Sequence, residues 1–327
     1  MEITDVAVAV FIKPDGSFLL SSRPDGKPYS GYWEFPGGKI EPGETVRAAL
    51  KRELHEDLNV VIDQCTPWFA FMMHYQHASV RLHTWRVTAW HAADARGMMG
   101  MEGQAFCWQR LDDISAAPVL PGCLPIFRAL ALPMVYAITN AAEMGKKAYL
   151  QHLSASWSKN VPNALLDGEI VIKNRRMIQI REKAMPADAL RQFAREVSAI
   201  AREHHALVLV NSDMALADAV AADGVHLMSA QLHQLTSRPD CKWVGASAHT
   251  RADIVRAAEL KCDFVVLGSV QATATHPGQA PLGWEQFAEL ARDAPLPVYA
   301  IGGMTPALLG TAVQHGAHGI AMQRAAK

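Results

Sequence analysis

Eight short apolar segments, at 134–138, 177–180, 207–210, 225–227, 243–245, 264–267, 298–301 and 319–322, dominate the second half of this chain. Each has strand length and is largely apolar without alternation, as a strand covered on both faces must be. Ala-rich stretches with helical spacing, such as 187–202 and 251–260, lie between most of them. Strands that alternate with helices imply a parallel sheet, and eight such units within residues 134–327 imply a closed (β/α)8 TIM barrel of the α/β class. In such a barrel, function sits where the strands end. Arg181, Lys183, Asn211, His226, Ser247, His249, Gly302 and Gly303 stand at or just after the ends of the predicted strands, and all of these except His226 are, with His276, candidate ligand-binding residues.

The first half has another rhythm. Apolar runs at 3–13 and 17–23 flank Pro14-Asp15-Gly16 and read as a hairpin. Residues 78–90 alternate loosely, as a further strand does. Val46, Leu50, Leu54 and Leu58 recur every four residues and mark the buried face of a helix. Glu53, Glu56 and Asp57 share a stripe at the edge of that face, with Arg52 beside them. Like charges at this spacing weaken a helix unless a cation lies between them. A hard divalent ion with oxygen ligands, Mg²⁺ above all, removes that cost. Phe35-Pro36-Gly37-Gly38 precede the helix, and paired glycines allow a backbone to approach a ligand closely. Strands around one helix make an α+β unit. Pro118, Pro121, Pro125 and Pro133 then interrupt regular structure, leaving room for a short closing helix at 126–132. The boundary is set near Leu132, giving domains 1–132 and 133–327.

A net charge of −1 carries no basic footprint and argues against long nucleic acid as a partner. The N-terminal MEITDVAVAVF lacks a basic leader, and no apolar run reaches membrane-spanning length. Cys65, Cys107, Cys123, Cys241 and Cys262 are scattered, with neither zinc spacing nor a disulfide framework. His74 and His77 form an H-x-x-H without acidic company and read as ordinary strand or loop residues. A cytoplasmic protein that acts on small molecules is expected.

Residues 38–60 resemble the Nudix box of nucleoside-diphosphate-X hydrolases. Gly38, Glu44, Arg52, Glu53, Leu54, Glu56 and Val60 fall in register, while Asp57 stands for a Glu and Asn59 for a Gly. The resemblance implies a Nudix sandwich and metal-assisted attack of water on a diphosphate. It implies Mg²⁺, with Mn²⁺ as an alternative, held by the Gly37 carbonyl, Glu56, Asp57 and Glu102. Glu53 would be the base, Arg52 would orient it, and Glu44 would support the site from the helix start. The run from Glu34 to Glu41, the spacing to Glu102 and the Gly103-Gln104 pair resemble the 8-oxo-dGTP diphosphatases of the MutT type. That implies conversion of 8-oxo-dGTP to 8-oxo-dGMP and diphosphate, with contacts from Arg23, Phe35, Gly38, Lys39 and Cys123. Cys123 occupies the place of a purine-reading Asn, and a thiol cannot reproduce a bidentate amide. A diphosphate of thiamine metabolism stays open as the alternative substrate.

The second half resembles thiamine phosphate synthase and thiazole tautomerase through IQIREK at 178–183, ADGVHL at 222–227, GASAHT at 245–250 and AIGGMT at 300–305. Four positions depart from the synthase pattern. Ser212 and Gln231 replace two metal-binding carboxylates, His276 replaces a diphosphate-contacting lysine, and Arg324 replaces a phosphate-binding Ser. The resemblance implies the barrel and a thiamine-pathway phosphate as its ligand. It leaves three roles open: a vestigial or regulatory binding module, a tautomerase acting through His249, or a synthase.

Overall fold

The structure is a computed structural model that describes residues 3–76, 78–158, 176–273 and 280–323. Its contacts divide the chain into two compact units, the first running to Ala131 and also taking in Arg292–Pro295, the second holding the other described residues from Leu132 on.

In the first unit, β1 (Ile3–Phe11), β2 (Phe18–Ser22), β3 (Trp33–Glu34) and β4 (Gly37–Lys39) precede helix α1 (Val46–Leu58). Then come β5 (Val60–His74), β6 (Ser79–Ala92), β7 (Phe106–Gln109) and helix α2 (Cys123–Leu130). One sheet has the order β4-β1-β6-β5 and the other β3-β2-β7. Strand β1 is central and runs parallel to β6. Its period of two sends Ala7, Ala9 and Phe11 toward α1, where they meet Leu50, Leu54 and Leu58. Val8, Val10 and Ile12 enter the opposite cluster with Ile126 and Leu130 of α2. Full burial of each leucine of α1 contributes roughly 1.5–3 kcal/mol.

Two expectations need correction. Segments 3–13 and 17–23 do not form a hairpin. They meet only at an Ile12–Phe18 bridge and the Lys13–Ser17 turn, then enter different sheets. The reason is that β1 is already flanked on both sides by β4 and β6, so it has no edge left for β2. The closing helix also begins earlier than 126, at Cys123. Strand β5 was not legible, because Pro67 and its register shifts against β6 break the period of two.

The barrel of the second unit has eight strands. They are β8 (Val135–Ile138), β9 (Met177–Ile180), β10 (Leu207–Asn211), β11 (Gly224–Leu227), β12 (Trp243–Ala248), β13 (Phe264–Gly268), β14 (Val298–Ile301) and β15 (Gly319–Met322). They close in the order β10-β11-β12-β13-β14-β15-β8-β9 with parallel pairing throughout. Tyr136, Phe264 and Tyr299 are completely buried and pack with ring centroids 5.2–5.9 Å apart. His226 joins this stack.

Candidate active site

Helix α1 is fixed at both ends by its own sequence. Thr45 Oγ1 accepts from the Ala48 amide at 3.2 Å. Asn59 closes the helix in the left-handed conformation, φ 57°, which Asn tolerates better than most residues. Its amide nitrogen donates to Asp94 Oδ1 at 3.0 Å and to the Gly97 carbonyl at 2.9 Å. The last helix carbonyls continue that anchorage. Met99 N donates to Leu58 O, and Met101 N and Gln104 Nε2 both donate to Asp57 O. Gln104 Oε1 accepts from the Glu102 amide. Glu102 is thereby carried to the end of α1, beside Asp57.

Arg52 organises the acids upstream. Its Nη2 and Nε donate to Glu44 at 2.9 and 3.2 Å, and its Nη1 donates to Glu53 Oε1 at 2.8 Å and to Glu56 at 3.4 Å. Nη2 also donates to the Lys39 carbonyl. These bonds keep the guanidinium charged and, with the Glu41 amide, hold Glu44 below the usual carboxylate range. Gly38 leaves the room that Glu53 needs. A Cβ there would lie 2.0 Å from the Glu53 carboxyl carbon.

Asp57 is the most perturbed acid of the group. Burial, then the charges of Glu53 and Glu102, push it up to about 6, with Lys27 opposing. Hard oxygen donors that raise one another's proton affinity suit a divalent cation. The pinned Glu102 loop adds a further carboxylate beside them. The donors are not gathered into a ready cage among the described residues. Arg52 draws Glu53 and Glu56 to itself, and Lys27 pairs with Glu102.

The candidate substrate contacts are placed less uniformly. Arg23 Nη1 donates to both oxygens of Glu34, at 2.8 and 2.7 Å, and its Nε donates to Pro28 O. Burial raises Glu34 in spite of that pairing. Phe35 is buried in the core against Phe18 and Phe127. The Lys39 side chain is exposed, and it is its carbonyl that serves Arg52. Cys123 is buried, its Sγ 3.7 Å from the Trp33 carbonyl, and burial pushes the thiol up to about 12. Sequence reasoning passed over Glu34, Lys27 and the rings of Tyr29, Tyr32 and Tyr75, which pack at 5.3 and 5.7 Å. The aromatic spacing of Tyr29, Tyr32 and Trp33 was the available signal.

In the barrel, Arg181, Asn211, Ser247, His249, Gly302 and Gly303 all lie at carboxyl ends of strands. Gln179 Nε2 donates to Asn211 Oδ1, and Asn211 Nδ2 donates to Ser212 Oγ. Gln231 Nε2 donates to the Ser212 carbonyl at 3.0 Å, so the two residues read as carboxylate replacements meet directly. His226 is 2% exposed and lies between Tyr136 OH and Ser247 Oγ, at 3.3 and 3.0 Å. Burial, aided by the Arg181 charge, lowers it to about 3 and keeps it neutral. His249 Nδ1 lies 2.9 Å from the Gly268 carbonyl and therefore donates, leaving Nε2 as the basic nitrogen. His249 lines a cavity of about 410 Å³ with Gly268, Ser269, Gln271 and Leu282. Gly302 runs against Ser269, where a Cβ would approach to 2.6 Å. Lys183 is exposed, two residues beyond Arg181. His276, Arg324 and His77 lie outside the described residues.

These geometries define two folds in one chain, a two-sheet sandwich around α1 and a closed parallel (β/α)8 barrel. Comparison with known proteins gives the particulars. The NUDIX domain profile matches residues 3–130, and the thiamine monophosphate synthase profile matches residues 151–326. A CTP pyrophosphohydrolase of Escherichia coli K12 is 36% identical over 37% of this chain and 87% of its own length. A putative thiamine-phosphate synthase of Aquifex aeolicus is 32% identical over 59% of this chain and 96% of its own length. A solved thiamine phosphate pyrophosphorylase from Pyrococcus furiosus superposes with a TM-score of 0.44 at 22% identity, covering 58% of this chain and 84% of that one. The chain belongs to the NUDIX family through its first unit and to the thiamine monophosphate synthase family through its second. Among the described residues no helix is long and apolar enough to cross a membrane.

Proposed function

We propose that the first unit is a divalent-metal-dependent diphosphatase of nucleoside triphosphates, and that 8-oxo-dGTP, cleaved to 8-oxo-dGMP and diphosphate, is its first candidate substrate. The observation that carries the reading is the Arg52 clamp on Glu44 and Glu53, set beside Glu56, Asp57 and Glu102. Nudix hydrolases generally use Mg²⁺ or Mn²⁺, and Glu56, Asp57, Glu102 and the Gly37 carbonyl are the groups that would hold it. Such an ion supplies charge neutralisation on the phosphates. Glu53 takes the proton from the attacking water. Arg52 holds Glu53 in one orientation through a bond of 2.8 Å, and Glu44 in turn fixes Arg52.

Cys123 favours a second substrate reading. Its buried neutral thiol offers no amide pair to an oxidised purine, and the E. coli relative is named for CTP. A panel of 8-oxo-dGTP, dGTP, CTP and thiamine diphosphate, each with Mg²⁺, separates these possibilities. Preference for 8-oxo-dGTP over dGTP supports pool sanitation. Equal slow rates for those two, with faster CTP or thiamine diphosphate turnover, sink it.

For the barrel, the Gln231–Ser212 contact favours a binding module for a thiamine-pathway phosphate, working without its own metal. Calorimetry with thiazole phosphate and thiamine phosphate tests it, and absence of heat from both counts against it. The fixed tautomer of His249 supports a tautomerase reading, tested by turnover that survives chelator and is lost in His249→Ala.

A further inference from the structure

Lys27 lies in the turn between β2 and β3. The turn is internally braced: Arg23 Nε donates to Pro28 O, Ser30 Oγ to Asp25 Oδ1, and Gly31 N to Arg23 O. From this base the Lys27 ammonium pairs with the Glu102 carboxylate. Glu102 is braced as well, through Gln104 and the Asp57 carbonyl. A half-exposed charge thus sits between two braced loops, at the margin of the acids Glu53, Glu56, Asp57 and Glu102. Its field reaches both Asp57 and Glu34.

The other cations paired with acids here are committed. Arg23 spends its donors on Glu34 and Pro28, and Arg52 on Glu44, Glu53, Glu56 and Lys39. Lys27 instead holds one partner in a pair whose side chains are 49% and 46% exposed. A half-exposed pair of this kind binds weakly, and an ammonium on a flexible stem exchanges partners readily.

We propose that Lys27 is the resident counter-ion of the acidic cluster, displaced from Glu102 when a divalent ion binds and then turned to the oxyanions of the nucleoside polyphosphate. This rests on the metal-dependent diphosphatase reading. Lys27 therefore opposes the free ion and assists the substrate. A residue that merely ties the Glu102 loop in place would assist both.

The test uses the full chain and its Lys27→Met and Lys27→Arg variants. Free Mn²⁺ is followed by electron paramagnetic resonance without nucleotide, at low ionic strength. Lys27→Met is expected to bind Mn²⁺ about three- to tenfold more tightly, the scale of a water-screened repulsion between an ammonium and a doubly charged ion. The difference should shrink as salt rises, and Lys27→Arg should stay near wild type. In the same medium with Mn²⁺, the α,β-methylene analogue of dGTP should bind Lys27→Met several-fold more weakly. Unchanged or weaker Mn²⁺ binding in Lys27→Met overturns the proposal and leaves the diphosphatase reading standing. Unchanged analogue binding overturns the substrate half. No Mn²⁺ binding by wild type overturns both the metal reading and this one.

Discussion

Acid should weaken the barrel through His226. This imidazole is 2% exposed, bonded to Tyr136 OH and Ser247 Oγ, and lowered from its ordinary 6.5 to about 3 by burial. A lowered folded value means that protons bind preferentially to the unfolded chain. The stability contributed by neutral His226 is therefore complete above about pH 6.5 and is lost as pH falls toward 3. Each pH unit within that window removes about 1.4 kcal/mol. Between pH 8 and pH 5 the loss is about 2 kcal/mol, or roughly thirtyfold in the opening equilibrium. Hydrogen exchange of the full chain reads this on the peptide that covers β11, after correction for the intrinsic pH dependence of exchange. The control is His226→Gln, which keeps a donor and an acceptor but does not titrate. It should start less stable at pH 8 through imperfect packing, yet lose about 2 kcal/mol less than wild type on acidification. Every other group is the same in both proteins and cancels in the difference. Parallel pH dependences in wild type and variant would refute the reasoning.

Three further outcomes concern the first unit. Glu53→Gln should lower hydrolysis by about 10² to 10⁴ while exchange protection of α1 stays intact, and wild-type-like turnover would move the base elsewhere. Gly38→Ala drives a methyl into the Glu53 carboxyl, now 2.0 Å from the Cβ position. It should remove activity without unfolding the sandwich, so full activity with an unchanged circular dichroism spectrum counts against that geometry. Asn59→Gly keeps the left-handed helix end but deletes the bonds to Asp94 and Gly97. A loss of roughly 1–2 kcal/mol is expected, with faster exchange at the Met99 and Met101 amides, and unaltered exchange there argues against the latch.

The barrel was legible because its strands are buried on both faces. Segments such as 264–267 and 298–301 carry an uninterrupted apolar signal that tertiary contacts reinforce. The first unit was legible at α1, where a period near four and a left-handed Asn are local properties. It was not legible where pairing is a global choice. Whether β2 joins β1 depends on β4 and β6 having taken both its edges, and nothing between residues 11 and 18 records that. The site divides in the same way. The clustering of Glu53, Glu56 and Asp57 follows from helical spacing. The Arg23–Glu34 pair and the reach of Lys27 to Glu102 join residues 11 and 75 positions apart, and only the fold brings them together.

The contact between Gln231 and Ser212 has a kinetic consequence. A rim closed by a bond from side chain to carbonyl is finished when the chain has folded. On the binding-module reading, a ligand that meets it needs no other species to arrive first, so its association should be first order in ligand alone, with one relaxation in a rapid-mixing experiment. If Lys27 is displaced as proposed, the acidic cluster beside it is rearranged before it serves a substrate, and its binding should show an ordered, two-phase approach. On the two proposed readings, the halves of one polypeptide differ in when their sites come into being: one at folding, the other at each turnover.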